Sequence, residues 1–181
     1  MLAEYNVMKR IQLFALLILV FILSACNSDK HDSSHHPAVD INRGDECHLC
    51  GMFISRFPGP KGEAYVRDNP QAFKFCSTRD LFSYILQPDV KTIVKEIYVN
   101  DMGKTDWQKP AMQANYFTDA RTAYYVINQP LKGAMGHTIA SFAKKQDAEA
   151  FIKKHGGKLL RFNDITLDIV ADIQQPPVGH E

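Results

Sequence analysis

The chain lacks an excess of charge of either sign. Its 181 residues carry 21 Lys and Arg against 20 Asp and Glu, for a formal net charge of +1. No long basic stripe appears, so nucleic-acid binding has no phosphate-neutralising surface to rest on. A second CxxC is missing, and with it the paired-thiol pattern of a common structural zinc site. No phosphate loop, Ser/His/Asp series or paired carboxylates stand in a context that favours hydrolysis, and the chain is read as a non-enzyme. An even set of cysteines is also missing once Cys26 is set aside. Cys47, Cys50 and Cys76 remain, so at least one thiol stays free or pairs outside the molecule.

Long apolar runs are scarce too. The one that stands out is Leu13–Leu23, preceded by Lys9 and Arg10 and followed by small residues. It is too short to cross a bilayer comfortably and reads as a secretory signal peptide, starting at Met1 or at Met8. Leu23-Ser24-Ala25-Cys26 resembles a bacterial lipobox, with Cys26 as the lipidated residue. Beyond residue 25 the balance is 19 basic to 19 acidic residues. Residues 26–44 are polar and hold His31, His35 and His36, the pattern of a flexible tether. Lipid chains on Cys26 would hold the protein at a membrane without a spanning helix.

At 45% hydrophobic and 23% charged, the rest suits an ordinary core. EAYVRD and AFKFC read as strands of a hairpin, and STRDLFSYILQP as a helix capped by Ser77 or Thr78 and ended by Pro88. TIVKEIYVND, TAYYVIN, HTIASF and KLLRF read as strands. KKQDAEAFIKKH reads as a helix stopped by Gly156-Gly157, and DITLDIVADI stays open between helix and strand. FCSTRDLFSYI and FAKKQDAEAFI align without gaps, matching Phe75 to Phe142, Asp80 to Asp147 and Ile85 to Ile152. The expected fold is therefore α+β. Two tandem β-β-α-type units (45–112 and 113–172) follow the signal peptide (1–25) and the tether (26–44), and 173–181 form a loose tail.

The chemistry concentrates in CHLCGM. Gly51 after the second Cys excludes c-type haem attachment, which needs His there. A thioredoxin-like pair needs a helix after the motif, and FPGPKG is turn chemistry instead. A small stapling disulfide and a zinc site completed by Cys76 and a distant His remain as alternatives. A soft metal is the remaining reading. Cu(I) prefers thiolate and thioether, and Cys50 and Met52 flank one glycine. LKGAMGHTI offers a second glycine-framed sulfur, Met135, with His137 two residues on. Met102 and Met112 are weaker rivals.

DECHLCGMFISRFPGPKGEAYVRDNPQAFKFCSTRDLF together with LKGAMGHTIASFAKKQDAEAF resembles the NosL family of lipoprotein copper chaperones for nitrous oxide reductase. The resemblance implies Cu(I) held by Cys50, Met52 and Met135. Cys47, His48 and His137 stand near the site with roles left open, as is that of Cys76. It further implies transfer by ligand exchange to a NosDFY-type membrane complex and onward to the reductase, from a periplasmic, lipid-anchored monomer. Asn27 lacks the acidic inner-membrane retention mark, so the outer membrane is favoured. The second function class kept open is a periplasmic thiol–disulfide oxidoreductase using Cys47 and Cys50.

Overall fold

The computed structural model describes residues 35–173. The signal peptide, Cys26, His31 and the tail beyond residue 173 lie outside the described residues. Within them no helix is long and apolar enough to cross a membrane.

The fold is α+β, as expected. Strand β1 (Gly62–Val66) pairs antiparallel with β2 (Phe73–Phe75), and helix α1 (Thr78–Ile85) follows. A one-turn helix, α2 (Pro88–Lys91), leads into β3 (Val94–Asn100), which pairs with the other side of β1. The second half repeats this plan. Strand β5 (Tyr124–Ile127) pairs with β8 (Ala140–Phe142), helix α3 (Lys145–His155) follows, and β9 (Lys158–Arg161) returns to the other side of β5. The sheet orders β2-β1-β3 and β8-β5-β9 are thus equivalent. Between the halves, β4 (Phe117–Asp119) joins the outer edge of the first sheet beside β3. A two-stranded hairpin, β6 (Lys132–Gly133) with β7 (Gly136–His137), is inserted between β5 and β8.

Local chemistry explains most of these elements. Ser77 caps α1, its hydroxyl oxygen accepting the Asp80 N–H at 3.1 Å. Leu81, Phe82 and Ile85 form the buried face of α1. Leu81 presses so close to β1 that a Cβ on Gly62 would lie 2.6 Å from it. Only glycine lets the helix settle that near the strand. Burying Leu81 and Phe82 completely contributes about 2 kcal/mol each. Pro88 does end α1, and it then opens α2 at the first helical position, where a missing N–H costs nothing. The segment left open between helix and strand is helical: α4 (Leu167–Asp172), capped by Thr166, packs on α1.

The halves share one core. Phe82 of α1 meets Tyr125 of β5 edge to face at 5.2 Å. A polar seam joins the sheets as well. The Ser141 hydroxyl donates to the Asn100 carbonyl at 2.6 Å, and the Ala143 N–H donates to Asp101 Oδ1 at 3.0 Å.

Candidate metal centre

Residues 47–52 form a tight loop fastened at its base by an antiparallel bridge between Glu46 and Phe53. Inside it the Cys47 N–H donates to the Met52 carbonyl at 2.9 Å, and the Gly51 N–H donates to the Cys47 carbonyl at 2.8 Å. Gly51 takes φ 71°, a left-handed geometry that glycine adopts without strain. The His48 N–H donates to the Lys74 carbonyl at 2.8 Å, laying the loop along the edge of β2. The residue after β2 is Cys76, immediately before the N-cap of α1. The strand end and the loop therefore face each other, and three free thiols converge.

The donor atoms of Cys47, Cys50, Cys76 and Asp80 all lie within 4.8 Å of one another. Cys50 Sγ is 3.4 Å from Cys76 Sγ, and the Cys76 thiol donates to Asp80 Oδ2 at 2.9 Å. Cys47, Cys76 and Asp80 are buried, while Cys50 is partly open to solvent. Hydrogen bonding toward Cys47, burial and Asp80 all favour the protonated form of Cys76, so its thiol is pushed well up. Cys47 is driven the other way, chiefly by hydrogen bonding from Cys76, against the opposing effect of burial. Burial pushes the Cys50 thiol up. The cluster thus favours one thiolate, at Cys47, and one retained proton, on Cys76.

Beneath the cluster lies Lys61, fully buried. Its ammonium donates to the carbonyls of Phe57 at 2.7 Å, Pro58 at 3.0 Å and Cys76 at 3.1 Å. Burial lowers its pKa to about 8, and the nearby Asp80 carboxylate and Cys47 thiolate oppose that fall.

The other expected site residues are distributed around this centre. Met52 is half-buried and packs against the main core. Met135 is 50% exposed at the turn of the β6–β7 hairpin. That hairpin reaches the first half: Arg79 donates to the Met135 carbonyl at 3.1 Å, and the Thr78 and Thr138 hydroxyls lie 3.1 Å apart. The two glycine-framed segments are thus brought to the same end of α1. His137 is half-buried on β7, opposite Lys132. Neither His48 nor His137 belongs to the four-residue donor group. The His48 ring instead stacks on Phe73 at 3.8 Å and meets Tyr84 edge-on at 5.0 Å. Met102 is buried in the second half's own core, and Met112 packs on the first.

The residues that sequence reasoning left unassigned are Cys76, Asp80 and Lys61. A signal for the first two was present: Cys76 and Asp80 are four apart, across a helix start. A bridge residue, Phe53, and a short 3-10 helix at Ile54–Arg56 follow the CxxC pair rather than an α-helix that starts at it, so the arrangement does not favour a thioredoxin-like exchange site.

The family profile named NosL matches residues 38–170. The chain is 42% identical over 162 residues to the copper-binding lipoprotein NosL of Stutzerimonas stutzeri, covering 88% of this chain and 83% of that protein. It is 32% identical over 148 residues to the protein of the same name from Achromobacter cycloclastes, covering 80% and 75%. The crystal structure of the copper chaperone NosL from Shewanella denitrificans superposes with a TM-score of 0.72 at 50% identity, over 75% of this chain and 99% of that one. With the family match running from the docked end of the tether to the last helix, the chain belongs to the NosL family.

Proposed function

We propose that the chain is a periplasmic metallochaperone that binds one Cu(I) ion at the sulfur cluster and passes it on by ligand exchange. The observation that carries this reading is the donor set: three thiols and one carboxylate within 4.8 Å, with one thiol at the surface. Thiolates suit a soft monovalent ion far better than a hard cation. Membership of a family whose named relatives bind or chaperone copper supports the same cargo.

Cys50 is the anchor ligand because it is the thiol that solvent, and so an acceptor, can reach. Met52, beyond the intervening glycine, and Met135, at the exposed hairpin turn, complete a thioether side. Cys76 and Cys47 lie beneath Cys50 as further thiolate donors. A pocket open on one side lets a donor from the acceptor join the metal before a resident ligand leaves, so the ion is never free in solution. His48 and His137 act around this centre. By resemblance the acceptors are a NosDFY-type membrane complex and, through it, nitrous oxide reductase. The lipid on Cys26 confines these encounters to a membrane surface, with the outer membrane favoured by Asn27.

Binding requires deprotonated thiols, so affinity falls as acid protonates them. Competition against a Cu(I)-specific chelator tests the reading. The expected result is tight one-to-one binding that becomes much weaker in Cys50→Ser; equal affinity in wild type and Cys50→Ser would refute it. Insulin reduction by the Cys47–Cys50 pair, unaffected by Cu(I), would return the oxidoreductase to first place.

A further inference from the structure

A fully buried lysine is rare, because stripping an ammonium of water costs several kcal/mol unless something in the fold needs the charge. Lys61 has no exposure, and its ammonium donates to three backbone carbonyls. A methionine or leucine would fill the space at lower cost, so packing alone does not account for it.

Its partners define what it holds. Two carbonyls, of Phe57 and Pro58, belong to the FPGP turn, and the third is that of Cys76 itself. The turn in turn seats the hairpin that carries Met135. A Cβ on Gly59 would meet Gly133 Cα at 3.3 Å and Thr138 Cγ2 at 3.5 Å, and the Gly59 N–H donates to the Trp107 carbonyl at 2.7 Å. The backbone of Lys61 is itself fixed. Its N–H donates to Asn100 Oδ1 at 2.9 Å, and its carbonyl accepts the Asn100 N–H at 3.0 Å. Asn100 in turn accepts the Ser141 hydroxyl from the second half. Lys61 therefore stands where the strand end bearing Cys76, the turn that seats the Met135 hairpin, and the seam between the halves meet.

We propose that Lys61 is the positioning residue of the copper site: it clamps the Cys76 strand end to the hairpin-bearing turn, and its buried positive charge offsets the thiolates and Asp80 around the ion. This rests on the reading of the cluster as the Cu(I) site. Lys61 touches no metal; it acts through the Cys76 carbonyl and through its charge at short range in a poorly polarisable interior.

The test compares Lys61→Leu, which removes charge and clamp without adding a sulfur, with Lys61→Gln, which removes the charge and keeps two amide N–H donors. Cu(I) affinity is read by chelator competition and the count of sulfur neighbours by X-ray absorption. Both variants should lose about tenfold or more in affinity, the scale of one charge acting across a few ångströms of protein. Lys61→Leu should also lose a sulfur neighbour, which a general loss of stability would not produce in protein shown to be folded by circular dichroism. Wild-type affinity in either folded variant overturns the proposal. A second measurement needs no variant: in wild type labelled with 15N-lysine, the buried ammonium should give a resonance that shifts as Cu(I) is added. Should the variants fail to fold, a Lys61 resonance that ignores Cu(I) overturns it equally. Wild type that binds no Cu(I) overturns the underlying reading, a result distinct from either.

Discussion

The two halves share a topology but differ in what it holds. Pairing registers place Gly62 of β1 opposite Phe75 and Tyr124 of β5 opposite Phe142, so Glu63 and Tyr125 are equivalent positions. Both are buried at the centre of their sheets. Tyr125 is satisfied, its hydroxyl donating to the Ala120 carbonyl at 2.5 Å. Glu63 accepts the Val39 N–H at 3.0 Å through one oxygen, while its other oxygen is buried without a partner among the described residues. At the end of the second strand the first half has Cys76 and the second has Ala143. The following helix keeps an aspartate in both, but only Asp80 has a thiol to accept from. Chemistry has settled in the first half, and the second contributes the hairpin that reaches across to it.

The largest expected effect removes that asymmetry at its centre. Cys50→Ser should weaken Cu(I) binding by about a thousandfold, the scale of a lost metal ligand's several kcal/mol. Ala143→Ser, at the second half's counterpart of Cys76, should leave affinity unchanged. Chelator competition on both variants makes the comparison; a large loss in Ala143→Ser would break it.

The next effect concerns Glu63. Burial pushes its pKa up from 4.5 to about 7. The native state therefore holds a proton that the unfolded chain has released, and stability falls as pH rises from the unfolded to the folded value. Above that window the full cost is about 3 kcal/mol. Glu63→Gln should raise the melting temperature at about pH 8 and give little gain near pH 4. Melts at the two pH values decide it, and a pH-independent difference would show that the carboxyl is not buried uncompensated. Tyr125→Phe offers the contrast in the second half, since it should lose stability equally at both.

A smaller change tests how far the second half takes part in the site. Met135→Ala should weaken Cu(I) binding by about tenfold, one thioether's worth on the usual free-energy scale. No change at all would confine the centre to the first half. The smallest effect compares the two long helices. Ser77 caps α1 with its side chain, whereas Lys144 leaves α3 without such a cap. Ser77→Ala should cost about 1 kcal/mol and Lys144→Ser should return somewhat less, both measurable by urea denaturation.

Much of the fold was legible because its signals are local. The helix at STRDLFSYI shows its cap, apolar spacing and stop locally, KKQDAEAF shows an amphipathic pattern and a glycine stop, and the echo between them marked the repeat. β4 and β6 were not legible, because strands of two or three residues have too little pattern to be told from loop. HTIASF divided between β7 and β8, since what separates them is pairing with different partners. At the site, the soft-sulfur motif was visible in CHLCGM, but the role of Cys76 was left open and Lys61 stood only as part of the FPGPKG turn.

What the sequence by itself determined is the class of chemistry and the repeated plan. Thiol and thioether types near glycine, and apolar periodicity along each element, are properties of neighbouring residues. Only the tertiary structure decided which sulfurs share a pocket and which histidine ring stacks on Phe73 rather than joining the four donor groups. Those outcomes depend on how two sheets and a hairpin pack. Packing sums many contacts between residues far apart in the chain, and no short stretch contains that sum.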